Sequence, residues 1–216
     1  MPVTDNDNQT FRLRFEKTAA MKYISHLDLN RLFSRSLARA QIEAAYSEGF
    51  NPHPKIAFAS ALSLGIESLC EFADLNIKGG RTGAEILEKT KGAFPPGINI
   101  LEVYEAGSDF KNIDRARFHI FVKPEGFGPA ELEELFSGTA PVEKKPGVTV
   151  DLKDYICEIS VSQKDGRLLI DAVLKTNREM FLNPENIIKA VNSKFSARDY
   201  FIRKIETYDK NNAVFR

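Results

Sequence analysis

The sequence predicts an α+β protein built as two β-α-β-β-α-β halves in tandem. Three observations predict it. Apolar residues alternate with period two in several short segments, helical spacing interrupts them twice in each half, and the element order over residues 11–105 returns over residues 114–208.

Each element has its own pattern. Met1 to Thr10 is polar and aperiodic, the pattern of a mobile terminus. Phe11, Leu13 and Phe15 alternate with Arg12, Arg14 and Glu16, which predicts a half-buried strand. A loop is expected over residues 18–25. From His26 the period becomes helical, with Leu29, Leu32, Phe33, Leu37 and Ala40 on one face and Arg31, Arg35 and Arg39 on another. Ile42 to Tyr46 is at best a short strand, residues 47–54 form a turn-rich loop, and Lys55 to Leu62 is strand or extended chain. Leu69 to Ile77 alternates again. Thr82 to Phe94 has helical spacing and stops at Pro95-Pro96-Gly97, and Ile98 to Tyr104 is a strand.

A polar linker over residues 107–114 precedes the second half. Phe118 to Lys123 is a strand and Pro129 to Phe136 a short acidic helix, followed by extra chain over residues 138–150. Tyr155 to Val161 and Leu168 to Leu174 pair across Lys164-Asp165-Gly166, whose Asp-Gly is a strong hairpin signal. Asn183-Pro184-Glu185 opens a helix that buries Ile187, Ile188 and Val191, and Tyr200 to Ile205 closes with a strand. The expected fold is two ferredoxin-like halves.

Composition excludes several classes. The 216 residues are 43% hydrophobic and 28% charged, an ordinary globular balance rather than a collagen-like, coiled-coil or disordered one. Lys+Arg and Asp+Glu both total 30, so no global field steers the chain to a polyanion. No apolar run approaches the roughly 18 residues of a membrane span. Two cysteines, Cys70 and Cys157, are too few for a disulfide framework or a cysteine-held cluster, and both read as small buried hydrophobes. The expectation is a cytoplasmic protein with no cofactor. Charge is nevertheless uneven: residues 11–62 carry eight Lys/Arg against four acids, and residues 63–110 carry four against eight.

Two segments carry candidate chemistry. In Lys22-Tyr23-Ile24-Ser25-His26-Leu27-Asp28, Ser25 and Asp28 have the spacing of a helix cap, which sets His26 in a first turn that favours anions. One reading has Ser25 and Asp28 cap while His26 sits on the surface; the other has His26, Lys22 and Tyr23 line an anion pocket. In Tyr46-Ser-Glu-Gly-Phe-Asn-Pro-His-Pro-Lys55, two prolines bracket His53 and fix φ on both sides, so a rigid loop presents Asn51, His53 and Lys55. His26 and His53 are the catalytic candidates. His26, His53 and Asp28 are the minimum for a metal, yet nothing in their spacing demands one. Arg31, Arg35 and Arg39 form either a phosphate-binding stripe or a set of solvated ion pairs. His119 reads as an exposed or edge histidine.

These blocks, with Phe11-Arg-Leu-Arg-Phe-Glu-Lys17 and Ala61-Leu-Ser-Leu-Gly65, resemble the radical SAM-associated (radical SAM-linked) domain family of uncharacterised bacterial proteins. The resemblance covers about residues 11–78. It implies a partnership with a radical SAM protein of the cobalamin-binding type and identifies no catalytic residue. The chain lacks the three-cysteine cluster motif, so it is not itself the radical generator.

Two function classes follow. The first is an accessory substrate-binding module for a radical SAM enzyme, on RNA, with Tyr23, Tyr46 and Phe50 available for stacking. The alternative is a metal-independent endoribonuclease-like enzyme using His26, since tandem ferredoxin-like halves with a histidine at the first helix resemble CRISPR repeat-processing endoribonucleases. Residues 196–204 lack the glycine-rich loop of that group.

Overall fold

A computed structural model describes residues 8–48, 50, 52–78 and 80–216. The protein is mixed α+β, with four α-helices among the described residues and mostly antiparallel sheet. It divides into two compact units, residues 1–109 with Arg216, and residues 110–215.

In the first unit β1 (Asn8–Lys17) leads through a 3-10 turn (Ala19–Tyr23) into α1 (His26–Arg39), where a plain loop was expected. Then follow β2 (Ile56–Phe58), β3 (Glu67–Lys78), α2 (Gly83–Thr90) and β4 (Ile98–Glu105). The strand order is β4-β1-β3-β2, with every neighbouring pair antiparallel. Phe11, Leu13 and Phe15 of β1 and Ala73, Leu75 and Ile77 of β3 face the buried stripe of α1, namely Leu29, Phe33 and Leu37. Phe33 is the hub, 4.9 Å from the Phe15 ring and 5.0 Å from both Phe58 and Phe94. Helix α2 ends four residues earlier than its apolar spacing predicts. Gly92 turns at φ +71, and Phe94 keeps the helical phase by packing on Phe33 from the loop.

The second unit runs β5 (Ile113–Val122), α3 (Pro129–Ser137), β6 (Pro141–Lys145), β7 (Val148–Asp151), β8 (Ile156–Lys164), β9 (Arg167–Lys175), α4 (Glu185–Lys194) and β10 (Tyr200–Asp209). Its main strand order is β10-β5-β9-β8, again antiparallel throughout. Asp165 and Gly166 both take positive φ, +50 and +74, the conformation a two-residue hairpin needs. The extra chain at 138–150 contains the hairpin β6–β7, held to α4 where Lys189 Nζ donates to the Glu143 carbonyl at 3.1 Å. Phe118, Ile120 and Val122 of β5 and Leu168, Ile170 and Leu174 of β9 form the buried face beneath the helices.

Two side-chain expectations are corrected. Cys70 is buried but Cys157 is exposed. The β8–β9 register shifts between Ile156 and Glu158, so Cys157 is the extra residue of a bulge and leaves the pattern that would have turned it inward. His119 is on no edge: β5 is paired on both sides, and the ring is half-buried beside Asp171.

Candidate functional site

The first motif block is built on a buried lysine. Lys17 is in phase with the apolar side of β1 and only 2% exposed. Its ammonium donates to the Ile24 carbonyl at 3.2 Å and faces the Glu71 carboxylate of β3. Burial pushes its pKa below the ordinary lysine value, and Glu71 opposes that shift. Glu67 of β3 accepts from the Ala19 N–H at 3.2 Å and lies 3.8 Å from Lys22 Nζ. The Gly65 N–H donates to the Lys22 carbonyl, and the Thr18 N–H donates to the Gly97 carbonyl at 2.8 Å. Gly97 has φ +93, and a Cβ there would lie 2.6 Å from the Thr18 oxygen, so this anchor requires glycine.

That scaffold delivers the chain to α1. Ser25 Oγ accepts from the Asp28 N–H at 3.1 Å and donates to the Asp28 carboxylate at 2.7 Å. The cap predicted from sequence is present, with the Asp28 carboxylate holding the Ser25 hydroxyl. Asp28 also pairs with Arg31 at 3.3 Å. His26 is exposed at the first helical position, and its ring meets Phe58 edge-on at 5.4 Å. Tyr23 is 66% exposed with Lys22 Nζ 5.3 Å from its ring centre, and Leu27 and Leu64 are solvent-exposed.

The second block is an excursion from the sheet edge. Ala44 bridges to Ile77, the Ala45 N–H donates to the Asn76 carbonyl, and Ile56 resumes pairing opposite Leu75. The described residues 46–48, 50 and 52–55 therefore lie off one antiparallel path along β3. The loop is closed at its base by Lys55 N–H to Ala45 C=O at 2.8 Å, then by Ser47 N–H to His53 C=O at 2.8 Å and a Tyr46–Pro54 bridge. Ser47 Oγ also accepts from the His53 N–H and lies 3.0 Å from its Nδ1. Tyr46 (53%), Phe50, His53 and Lys55 are exposed. Asn51 and Gly49 lie outside the described residues.

The blocks meet through Phe58. It follows Lys55 by three residues and carries the His26 ring. His26 and His53 each make their own contacts, Phe58 for one and Ser47 for the other. No group of three or more His, Cys, Asp or Glu among the described residues is placed to hold a metal. The arginines of α1 divide: Arg39 donates to the Ala93 carbonyl at 2.8 Å, Arg31 holds Asp28, and exposed Arg35 has no polar partner among the described residues. The Arg31–Asp28 pair is solvated on both sides, so it restrains Arg31 weakly.

Sequence reading missed Lys17, Glu67 and Glu71. Their signal is phase: Lys17 continues the series Phe11, Leu13, Phe15, and Glu71 falls in step with Ala73 and Leu75. A charge in an inward register announces a buried partner. Elsewhere, a cavity of about 310 Å³ between α3 and β8 is lined by Phe136, Ile159 and Val161 with Glu133 as its single ionisable residue.

The family described as "Uncharacterized protein conserved in bacteria (DUF2344)" matches residues 10–184, which takes in both motif blocks. The chain belongs to that family. No curated protein matches it. Among solved structures it is similar to one titled "Crystal Structure of an Unknown Protein from Galdieria sulphuraria", with 12% identity over 91% of this chain and 98% of that one, at a TM-score of 0.29. No helix among the described residues is long and apolar enough to cross a membrane.

Proposed function

We propose that this member of the family is an accessory binding module that holds RNA for a radical SAM enzyme of the cobalamin-binding type in the cytoplasm, and that each of its units is a ferredoxin-like half. Strand orders β4-β1-β3-β2 and β10-β5-β9-β8 support the fold reading. One observation carries the functional one. Both motif blocks put aromatic rings into solvent: Tyr23 from the first, and Tyr46 and Phe50 from the second. Lys22 is beside Tyr23, His53 and Lys55 share the second block with Tyr46 and Phe50, and exposed Arg35 lies on α1 between the blocks. Exposed rings cost hydration free energy and contribute nothing to the core; among cations they suit unstacked bases.

The endoribonuclease alternative has less support. A general acid–base histidine needs an orienting partner, and His26 makes no hydrogen bond among the described residues. The test is RNA affinity across a salt series for the wild type and for Tyr23→Ala/Tyr46→Ala/Phe50→Ala, with capture of partners from the native host. Loss of about tenfold or more in affinity and recovery of a radical SAM protein are expected. No RNA bound at low salt removes the RNA reading, and RNA cleaved by the wild type but not by His26→Ala restores the enzyme.

A further inference from the structure

The second unit has a surface that neither motif block includes. Helix α3 covers Ile159 and Val161 of β8, and α4 meets Tyr200 of β10 through Glu185 Oε2, 2.8 Å from the tyrosine hydroxyl. Val161 pairs with Ile170 and Tyr200 with Val122, so both helices lie on the Ile120–Ile170 side of the sheet. The other side carries Arg117, His119 and Phe121 from β5, Phe201 and Arg203 from β10, and Asp171 from β9.

Their arrangement is a stacked aromatic pair inside a ring of polar groups. The Phe121 and Phe201 rings lie 4.4 Å apart at 13°, Arg203 sits 5.8 Å over Phe201, and His119 meets Phe121 edge-on at 6.1 Å. Arg117 lies 3.1 Å from Asp171 and 3.5 Å from Glu158. These groups are reached by solvent: the Arg117 side chain is 37% exposed and His119 29%. At His119 itself Arg117, Lys164 and Arg203 outnumber the Asp171 carboxylate, while Glu158 sits beside Arg117 on the β8 side of the face. Leu169 and Val173 of β9 share this face with the two phenylalanines, and its strand backbones are already paired on both sides along β5 and β9. An added peptide strand has nothing to pair with there, and an apolar helix would set its side chains against Arg117, His119, Arg203 and Asp171.

We propose that this face of the second unit binds single-stranded nucleic acid, with an unpaired base extending the Phe121–Phe201 stack and Arg203 and Arg117 taking phosphates. The proposal rests on the RNA reading above and adds a second, separate contact surface to it. Duplex is excluded as the favoured ligand because its bases are already stacked on one another, whereas splayed bases offer a free π-face to an aromatic pair.

The test uses the full chain with a short oligouridylate containing 4-thiouridine. Photocrosslinks to the peptides holding Phe121 and Phe201 are expected, together with about tenfold weaker binding by Phe201→Leu at an unchanged melting temperature. Arg203→Ala, which leaves the apolar pair intact, serves if Phe201→Leu does not fold; it should lower the salt slope by about 1. Crosslinks confined to the Tyr23, Tyr46 and Phe50 peptides, with Phe201→Leu or Arg203→Ala binding as wild type, overturn this inference and leave the RNA reading standing. Absence of any binding at low salt overturns both.

Discussion

Arg12 in the first unit and Arg117 in the second invite comparison. Each lies on the opening strand of its unit, on the side away from the helices, and meets an aspartate of a strand paired directly beside it, β3 for Arg12 and β9 for Arg117. Their surroundings differ completely. Arg12 is fully buried and makes two aligned 2.8 Å bonds to Asp74, further bonds to Ser108, and one to the Arg216 carbonyl. Arg117 is partly solvated, and its Nε lies 3.1 Å from Asp171 without the alignment of a hydrogen bond. One strand order and one pair of residue types thus give a fixed, closed ion pair and a loose, wet one. Burial decides which pair sustains the fold and which is open to a ligand.

The sharpest way to break this comparison is to delete both guanidinium groups. Arg12→Ala leaves Asp74 without its buried partner and should cost about 3–5 kcal/mol. Arg117→Ala should cost about 1 kcal/mol or less. Urea unfolding of the two variants decides it, and equal losses would mean that burial does not separate the faces.

Core and cap give the next two effects in the first unit. Phe33→Leu, at the ring hub, should lose about 1–2 kcal/mol through partial loss of packing. Ser25→Ala should lose about 1 kcal/mol, the ordinary cost of an N-cap. Both are read from the urea midpoint at constant slope. A silent Ser25→Ala would show that the 3-10 turn and the Lys17 anchor alone fix the start of α1.

The open face should also report pH. Burial, then Arg117, Lys164 and Arg203, lower the His119 pKa below its ordinary 6.5, while Asp171 opposes them. The folded histidine therefore binds its proton less readily than the unfolded one. Stability is full above about pH 6.5 and falls as pH drops from there toward the depressed folded value. Wild type should lose more stability than His119→Gln between about pH 7.5 and about pH 5.5. In the closed face the corresponding titration is displaced far to the alkaline side: burial pushes the Tyr104 phenol up to about 12. An absorbance titration of wild type against Tyr104→Phe checks it.

The smallest effect concerns α1. Arg35→Ala should reduce the salt slope of RNA binding by about 1. Arg39→Ala should leave that slope unchanged, because Arg39 is engaged with the Ala93 carbonyl. Equal slopes in both variants would return the arginine stripe to a solvated surface.

Period-two alternation and the Asp165-Gly166 turn made most strands legible, because each encodes a face or a dihedral that one residue type prefers. The helix cap at Ser25 was legible for the same reason. What escaped involved competition between local and distant forces. The spacing of α2 ran on to Phe94 because Phe94 really is buried, though from a loop. Cys157 left its expected side through a bulge that no local residue announces. The interrupted edge strand at 44–58 read as three separate pieces, since only pairing with β3 unites Ala44 with Ile56. At the candidate site, the prolines and the cap were visible, but the buried charges of Lys17 and Glu71 beneath them needed knowledge of which face was inward.

The looped-out segment 46–55 has a consequence for self-association. Strand β2 is hydrogen-bonded on one side only, to β3. Without the excursion, residues 43–58 would form one long strand with a free row of N–H and C=O groups, an open template for a second chain. As the chain stands, pairing along β3 is split into a short stretch at residues 43–45 and the three residues of β2, and Pro52 and Pro54, which have no N–H, lie in the chain between them. A chain in which a two-residue linker replaces the excursion would keep its pairing with β3 yet gain an edge able to join its own copies into aggregates. The segment that carries the second motif block therefore also guards the protein against adding strands to itself.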